Sequence, residues 1–422
     1  SKIFEKIIKN RLVEFVSKYV GRDPYQYGFV ENSGTLCATT DFVNYISSEL
    51  DKGNFVVAIY IDLQKAFDVV DHSVLLDKLE KMGVRGVALS LLKTYLSNRR
   101  QYVTLNSADS AMLFNAAGVP QGSVLGPLLY TLHVLSLKNI KLSCKYFSFA
   151  DDTVLVFSDI SPNILQEAID SDLEIYYKWL IHNKLKLNAK KTVYTLFKQK
   201  NKENLNLTVT INNVQINRVD STKYLGLIVD KNLNWEDHIL HIQGKIIPMI
   251  GAIYRCADYL NDQNCKLIYN SYILCHLRYL INIWGNTGVT SFRKIQVLQN
   301  RTVKILFKKD RLTPTEDLYR RTILKPIKYY LELEQSKQMY KIINMELKCN
   351  TIFSFNEEIH EYSTRNRNGL HLQTVRTNKA LNSPISRLIR MYNSLPNNLK
   401  ERRPYSRFLK ELKSLLGEKS YF

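Results

Sequence analysis

Paired cysteines are missing from this sequence. Cys37, Cys144, Cys256, Cys265, Cys275 and Cys349 never fall in a Cys-x-x-Cys spacing, so neither a zinc site nor a disulfide framework is spelled out, and the six read as reduced, intracellular and mostly core. Long apolar runs are missing too. None approaches the roughly 18 residues that a membrane-spanning helix requires, and the opening SKIFEKIIKNRL carries charges throughout, without the apolar stretch of a secretory signal. An initial methionine is also lacking, which suggests a fragment. No internal repeat or low-complexity tract occurs, which argues against a solenoid. Acidic residues are the last shortage, since 39 Asp and Glu face 59 Lys and Arg, for a net charge of +20.

What is present fits a globular chain. Hydrophobic residues make up 45% and charged residues 23%, and the length exceeds what one core usually serves, so roughly two to four subdomains are expected. The positive charge is uneven. Residues 1–160 hold 17 Lys and Arg against 16 Asp and Glu, whereas residues 161–422 hold 42 against 23. A surplus gathered in one part of a chain suits a phosphate backbone, because each neutralised phosphate releases counterions. Lysines that merely face water would give the same count.

Periodicity then sets out the elements. Ile3, Ile7, Ile8, Leu12, Phe15 and Val16 repeat along one helical face over 2–20, and a second helix is expected near 35–52. FVVAIYID at 55–62 is a continuous run of apolar residues, many β-branched or aromatic, the mark of a strand buried on both faces, and it ends on Asp62. Asp71 is placed to cap a helix that closes at Gly83, and another helix runs from about Val87 to Ser97. QYVTLNS and LFNAAGV read as a pair of short strands before Pro120-Gln121-Gly122 and the apolar helix SVLGPLLYTLHVL. CKYFSFADDTVLVFS reads as two strands meeting at a hairpin tip, Ala150-Asp151-Asp152. A helix over 163–182, short strands from 185 to 230 and three helices from 236 to 309, the first kinked at Pro248, precede a basic and partly helical remainder.

Asp62, Asp151 and Asp152 carry the chemistry. An ionised carboxylate at the end of a buried apolar strand is costly unless it is paired or holds a cation. Adjacent residues of a regular strand point to opposite faces, so Asp151 and Asp152 serve one site only where the backbone turns. Oxygen ligands on two elements, with room left for phosphate and water, suit Mg²⁺, and two such ions activate an attacking hydroxyl and stabilise leaving pyrophosphate. Taken singly, each aspartate favours the plainer reading, Asp151-Asp152 as turn chemistry and Asp62 as a cap.

The neighbouring segments decide between these. YIDLQKAFDVVDH (60–72), GVPQGSVLGPLLY (118–130), FADD (149–152), NKLKLNAKKT (183–192) and KYLGLIVD (223–230) stand in the order and approximate spacing of reverse-transcriptase motifs. The chain resembles the polymerase part of LINE-type (non-LTR) retrotransposons, the jockey-like branch in particular, from the first residue to about 285 and more weakly beyond.

The resemblance implies an α+β right-hand polymerase with an antiparallel-sheet palm. Residues 1–54 would form a truncated N-terminal fingers portion, 55–230 the palm with a fingers segment near 85–118, 231–310 a helical thumb and 311–422 a basic helical C-terminal extension. It implies RNA-directed DNA synthesis from a primer 3′-hydroxyl, with dNTPs as substrates, an RNA template and a DNA primer or target as partners, and Mg²⁺ or Mn²⁺ as cofactor. The setting would be intracellular, in nucleus and cytoplasm as a ribonucleoprotein, with no membrane. Asp62, the Leu63 carbonyl and Asp151 would hold metal, with Asp152 supporting them or contacting the primer end. Lys191 would assist the leaving pyrophosphate. Phe67 would be the gate against a ribose 2′-hydroxyl, while Gln121, Gly122, Arg99 and Arg100 would meet nucleotide or template. Tyr224, Leu225 and Gly226 resemble the primer grip. Departures from the family pattern stand at Val30, at Gly34-Thr35 and at Leu135-Ser136. They leave a second reading open, a truncated or decayed copy that binds nucleic acid without polymerising.

Overall fold

Seven largely β-branched or aromatic residues without a charged interruption suit a strand covered on both faces of its sheet. In the computed structural model, which describes residues 2–421 except 204, 323, 352, 360–366 and 402, that run is the middle strand of a five-stranded sheet. The residues group into two compact units, 1–38 with 54–219 and 39–53 with 220–422.

The first unit runs from helix α1 (Lys2–Tyr19) into helix α2 (Thr35–Asp51), whose residues from Thr39 onward belong to the second unit. Strand β1 (Phe55–Ile61) leads to helices α3 (His72–Lys81) and α4 (Gly86–Leu96). A ribbon of two-residue strands follows, β2 (Arg100–Gln101), β3 (Thr104–Leu105), β4 (Ala108–Asp109) and β5 (Leu113–Phe114), with β2 paired to β5 and β3 to β4. Helix α5 (Gly126–Val134) comes next, with Pro127 in its first turn, where its missing N–H costs nothing. Strands β6 (Lys145–Phe149) and β7 (Asp152–Asp159), helix α6 (Pro162–His182) and strand β8 (Val193–Phe197) complete most of the layer. Strands β9 (Thr210–Ile211) and β10 (Val214–Gln215) form a small hairpin, and β11 (Asn217–Arg218) joins the sheet edge.

The sheet order is β11-β8-β1-β7-β6. Phe55, Val57, Ile59 and Ile61 of β1, with Leu155 and Phe157 of β7, share one core with Leu12, Leu75, Leu79, Leu92, Leu129, Ile169 and Tyr176 from the helices. This is the period of two in the strands meeting the period of 3.6 in the helices. Asp71 caps α3 by accepting from the Val74 N–H, as its position predicts. Glu5, buried on α1, accepts from the N–H groups of Val124 and Leu125 at the start of α5, where the helix dipole favours a negative charge.

The second unit is mainly helical. It opens on the hairpin of β12 (Ser221–Tyr224) and β13 (Leu227–Asp230), continues through α7 (Glu236–Cys256), which passes Pro248 without ending, and packs α7 against the helix Val289–Leu306. Helices Ile327–Ile343, Pro384–Ser394 and Tyr405–Glu418 enclose a separate core of Leu333, Met339, Leu388, Phe408, Leu412 and Leu416. The Asp51 carboxylate accepts from the N–H groups of Arg376 and Thr377 and from the Thr377 hydroxyl, which ties residues 39–53 into this unit. Among the described residues no helix is long and apolar enough to cross a membrane, and all six cysteines are free thiols.

Candidate active site

β1 and β7 are antiparallel, with Ile61 opposite Thr153, so β1 ends where β7 begins. Asp62 is the next residue of the chain, and Asp151 sits in the two-residue turn that joins β6 to β7 across the Phe149–Asp152 pair. Antiparallel topology thus delivers one carboxylate from a strand end and one from a hairpin tip to the same end of the sheet. Both are half-buried, and Asp152 is exposed. The Asp151 carboxyl is pushed above its ordinary range, first by burial and then by the negative charge of Asp62. A half-buried carboxyl whose ionisation is opposed by a neighbouring aspartate is a place that a cation would stabilise.

The segment leading into β8 holds the other side of Asp62. Its N–H donates to the Thr192 hydroxyl at 3.2 Å and its carbonyl accepts from the Asn188 N–H at 2.8 Å. Gln64 N–H donates to the Lys186 carbonyl, so Leu63 and Leu187 form the non-hydrogen-bonded pair of an antiparallel bridge. In such a pair the N–H and C=O groups point away from the partner, which directs the Leu63 carbonyl out of the bridge. The same turn carries Lys190 and Lys191, both exposed, with Lys191 N–H bonded to the Asn188 carbonyl. Asp62, Leu63 and Lys191 are therefore tied together by backbone.

The oxygen-only donor set fits Mg²⁺, which keeps several waters and is commonly bound through one or two carboxylates plus substrate phosphate. Among the described residues no group of three or more His, Cys, Asp or Glu side chains lies close enough to form a metal cage. Asp62, Asp151 and Asp152 therefore do not make such a group by themselves.

Beside the aspartates, the Phe67 ring stacks on Tyr130 with centroids 4.4 Å apart and meets Phe29 edge-on at 6.2 Å. Gly118 and Val119 N–H groups donate to the Val70 and Phe67 carbonyls, and Gln121 Nε2 donates to Asp68 Oδ1 at 2.8 Å. His72 Nε2 lies 2.7 Å from the Gly118 carbonyl. The structure thereby brings Phe67, Gln121 and Gly122 onto one docked pair of segments. Asp68 and His72 serve that docking, as a structural reading of them expects. Gly122 takes φ +80° with open space where a side chain would stand.

Residues 1–229 match the reverse transcriptase (RNA-dependent DNA polymerase) family. The chain belongs to that family. Among curated relatives it is 27% identical over 416 residues to the probable RNA-directed DNA polymerase from transposon X-element of Drosophila melanogaster, covering 96% of this chain and 42% of the relative. It is 27% identical over 320 residues to the corresponding protein of transposon BS of the same fly (72% and 35%), and 27% identical over 315 residues to the RNA-directed DNA polymerase from mobile element jockey of Drosophila funebris (72% and 34%). The motif-based resemblance to the jockey-like branch is borne out. The chain spans between a third and about two fifths of the length of these relatives.

Two further groups of expected residues lie on other elements of this reverse-transcriptase chain. Arg99 and Arg100 are exposed at the base of the β2–β5 ribbon, where their guanidinium groups lie over the rings of Tyr95 and Phe114 at 5.6 and 4.6 Å. Tyr224, Leu225 and Gly226 belong to the second unit. Leu225 and Gly226 form the β12–β13 turn at φ +47° and +82°, the Leu225 carbonyl accepts from the Tyr279 hydroxyl at 2.7 Å, and Tyr224 is buried against Phe42.

Sequence reasoning missed Tyr130, Asn188, Thr192 and Gln26. Tyr130 is fully buried, its hydroxyl has no partner among the described residues, and burial together with the charges of Asp151 and Asp152 keeps it protonated. Its only signal was a polar aromatic in the middle of a mainly apolar helix. Asn188 and Thr192 lay inside a recognised motif whose lysines drew the attention. Gln26 had no signal beyond its place in a loop.

Proposed function

We propose that this chain is the RNA-directed DNA polymerase of a non-LTR retrotransposon, extending a primer 3′-hydroxyl with deoxynucleoside triphosphates on an RNA template. The observation that carries the reading is that Asp62 and Asp151 come to one end of the sheet, where burial and the Asp62 charge raise the Asp151 carboxyl. In this reading residues 55–230 are the palm with a fingers segment near 85–118, residues 1–54 a fingers portion, 231–310 the thumb and 311–422 a basic extension. Mg²⁺, or Mn²⁺ in its place, is held by Asp62, the Leu63 carbonyl and Asp151, with Asp152 beside them. When bound, a pair of such ions lowers the charge barrier to attack and to departure of pyrophosphate.

The remaining work falls to protein groups. The primer 3′-oxygen forms its bond to the α-phosphorus as the bond to the pyrophosphate oxygen breaks, and Lys191 meets the leaving group as cation or proton donor. Phe67, braced by Tyr130, fills the space a ribose 2′-hydroxyl would need. Gln121 and Gly122 contact the nascent pair, Arg99 and Arg100 meet template or triphosphate oxygens, and Tyr224, Leu225 and Gly226 hold the primer end. The partners are an RNA template, a DNA primer or target and dNTPs, in an intracellular ribonucleoprotein of nucleus and cytoplasm.

Primer extension on poly(rA) tests this. The wild-type chain should incorporate dTTP only with Mg²⁺ or Mn²⁺ present, and Asp151→Asn should fall to background. A wild-type signal no higher than that of Asp151→Asn would sink the proposal.

A further inference from the structure

The turn that carries Asp151 has a backbone its sequence does not favour. Ala150 sits at φ +58°, in the left-handed region where a Cβ is costly and glycine or asparagine is the usual occupant. Something outside the hairpin must hold it. The Gln26 side chain is 8% exposed, and its Oε1 accepts from the Ala150 N–H and from the Gly28 N–H, each at 2.9 Å, while its Nε2 approaches the Ala150 carbonyl at 3.5 Å. One amide thus addresses both backbone polar groups of the strained residue, across 124 positions of sequence.

The strap bearing Gln26 is itself fastened. Tyr27 N–H donates to the Ser148 carbonyl and Ser148 N–H to the Tyr25 carbonyl, which lays the strap beside β6 as a parallel bridge of Gln26 with Ser148. Asp23 accepts from the Tyr25 N–H and from the Tyr146 hydroxyl at 2.9 and 3.0 Å, and Lys138 donates to the Val20 and Gly21 carbonyls. Gly28 then passes so close to the turn that a Cβ there would stand 2.4 Å from the Ala150 nitrogen. The strap is rigid before Gln26 reaches the turn, which is what a positioning group requires.

We propose that Gln26 is a positioning residue that sets the Ala150-Asp151 turn, and through it the direction in which the Asp151 carboxylate meets a divalent ion. The inference rests on the metal-holding role proposed above for Asp151. Gln26 touches no reacting atom. It decides whether Asp151 is presented or wanders with a two-residue turn that has no glycine to relax it.

Gln26→Met keeps the volume and removes the polar contacts, and the double variant Gln26→Met/Ala150→Gly lets the turn adopt positive φ without help. Two readouts are needed. In the metal-free chain, amide hydrogen exchange over 148–152 should quicken about tenfold in Gln26→Met, while exchange over 55–61 stays at wild-type values. In primer extension, the half-saturating Mg²⁺ concentration should rise about tenfold, in line with the loss of other groups that orient metal ligands, and Ala150→Gly should restore much of it in the double variant. Unchanged exchange in the turn overturns the proposal, as does an unchanged Mg²⁺ midpoint in an active enzyme. Equal loss of protection over 55–61 also overturns it, since Gln26 would then be a general support of the fold. If the wild-type chain extends no primer, the polymerase reading fails, and the exchange experiment still decides the hold on the turn.

Discussion

Lys78 shows how one residue's surroundings record a departure from the family pattern. Its amine is buried and donates to Ser136 Oγ at 3.0 Å, to the His133 carbonyl and to Asn183 Oδ1, all neutral acceptors, and burial pushes it down to about 8. Ser136, part of the Leu135-Ser136 departure from the pattern that the resemblance implies, also accepts from Trp179 Nε1 at 3.0 Å. That departure therefore lies in the packing between α3, α5 and α6. A buried cation without a carboxylate carries a desolvation cost that a partner would offset. Ser136→Asp should stabilise the first unit by about 1–3 kcal/mol at pH 7, read as a higher urea midpoint at unchanged slope. An unchanged or lower midpoint would show that the neutral acceptors already satisfy Lys78.

Between elements, the proposed nucleotide side of the site depends on two segments that are far apart in sequence, 67–72 and 118–122. Gly118 joins them at φ +90°, and a Cβ there would meet the Asp68 carbonyl oxygen at 2.7 Å. Gly118→Ala should cost about 2–4 kcal/mol through backbone strain and the forced separation. It should also raise KM for dNTP more than it lowers kcat, because Gln121 and Phe67 would move while Asp62 and Asp151 stay. Steady-state primer extension separates the two, and a pure kcat loss would contradict the docking argument. This joint was half legible in the sequence. The uninterrupted strand at 55–61, the Asp71 cap and the Asp151 hairpin tip each follow from a local pattern, and each forms as expected. The clamp of Gln26 on Ala150, the Asp68–Gln121 contact and the membership of residues 39–53 in the second unit all join distant positions, and no local period reports them. The ribbon shows a third case, since β-propensity at QYVTLNS and LFNAAGV indicates strands but not that each shrinks to two-residue pieces leaving Tyr102, Leu105, Leu113 and Phe114 exposed.

For the whole molecule, positive charge and buried histidines set the response to solution conditions. By unit, 25 Lys and Arg face 18 Asp and Glu in the first, and 34 face 21 in the second. Each unit also buries a neutral histidine. His133 is pushed down to about 4 by burial and by the Lys78 charge, with Nε2 bonded to the Asn183 carbonyl. His238 is pushed down to about 4 by burial and by His241, and its Nδ1 accepts from the Ile228 N–H, so a proton arriving there displaces a hydrogen bond. Both folded values lie below the ordinary 6.5, so the unfolded chain binds more protons between pH 6.5 and 4. Stability is then complete above pH 6.5 and falls as the pH drops through that window, by about 3 kcal/mol for each histidine. Carboxylates held low in the fold, such as Asp51 and Asp71, add their loss only below the ordinary 3.8, so the two causes separate along the pH axis. Urea unfolding at pH 7 and pH 4.5 should show a marked fall for the wild type and a shallower one for His238→Gln, whose amide oxygen still accepts from Ile228. Equal falls in the two chains would mean that His238 is not what acid acts on.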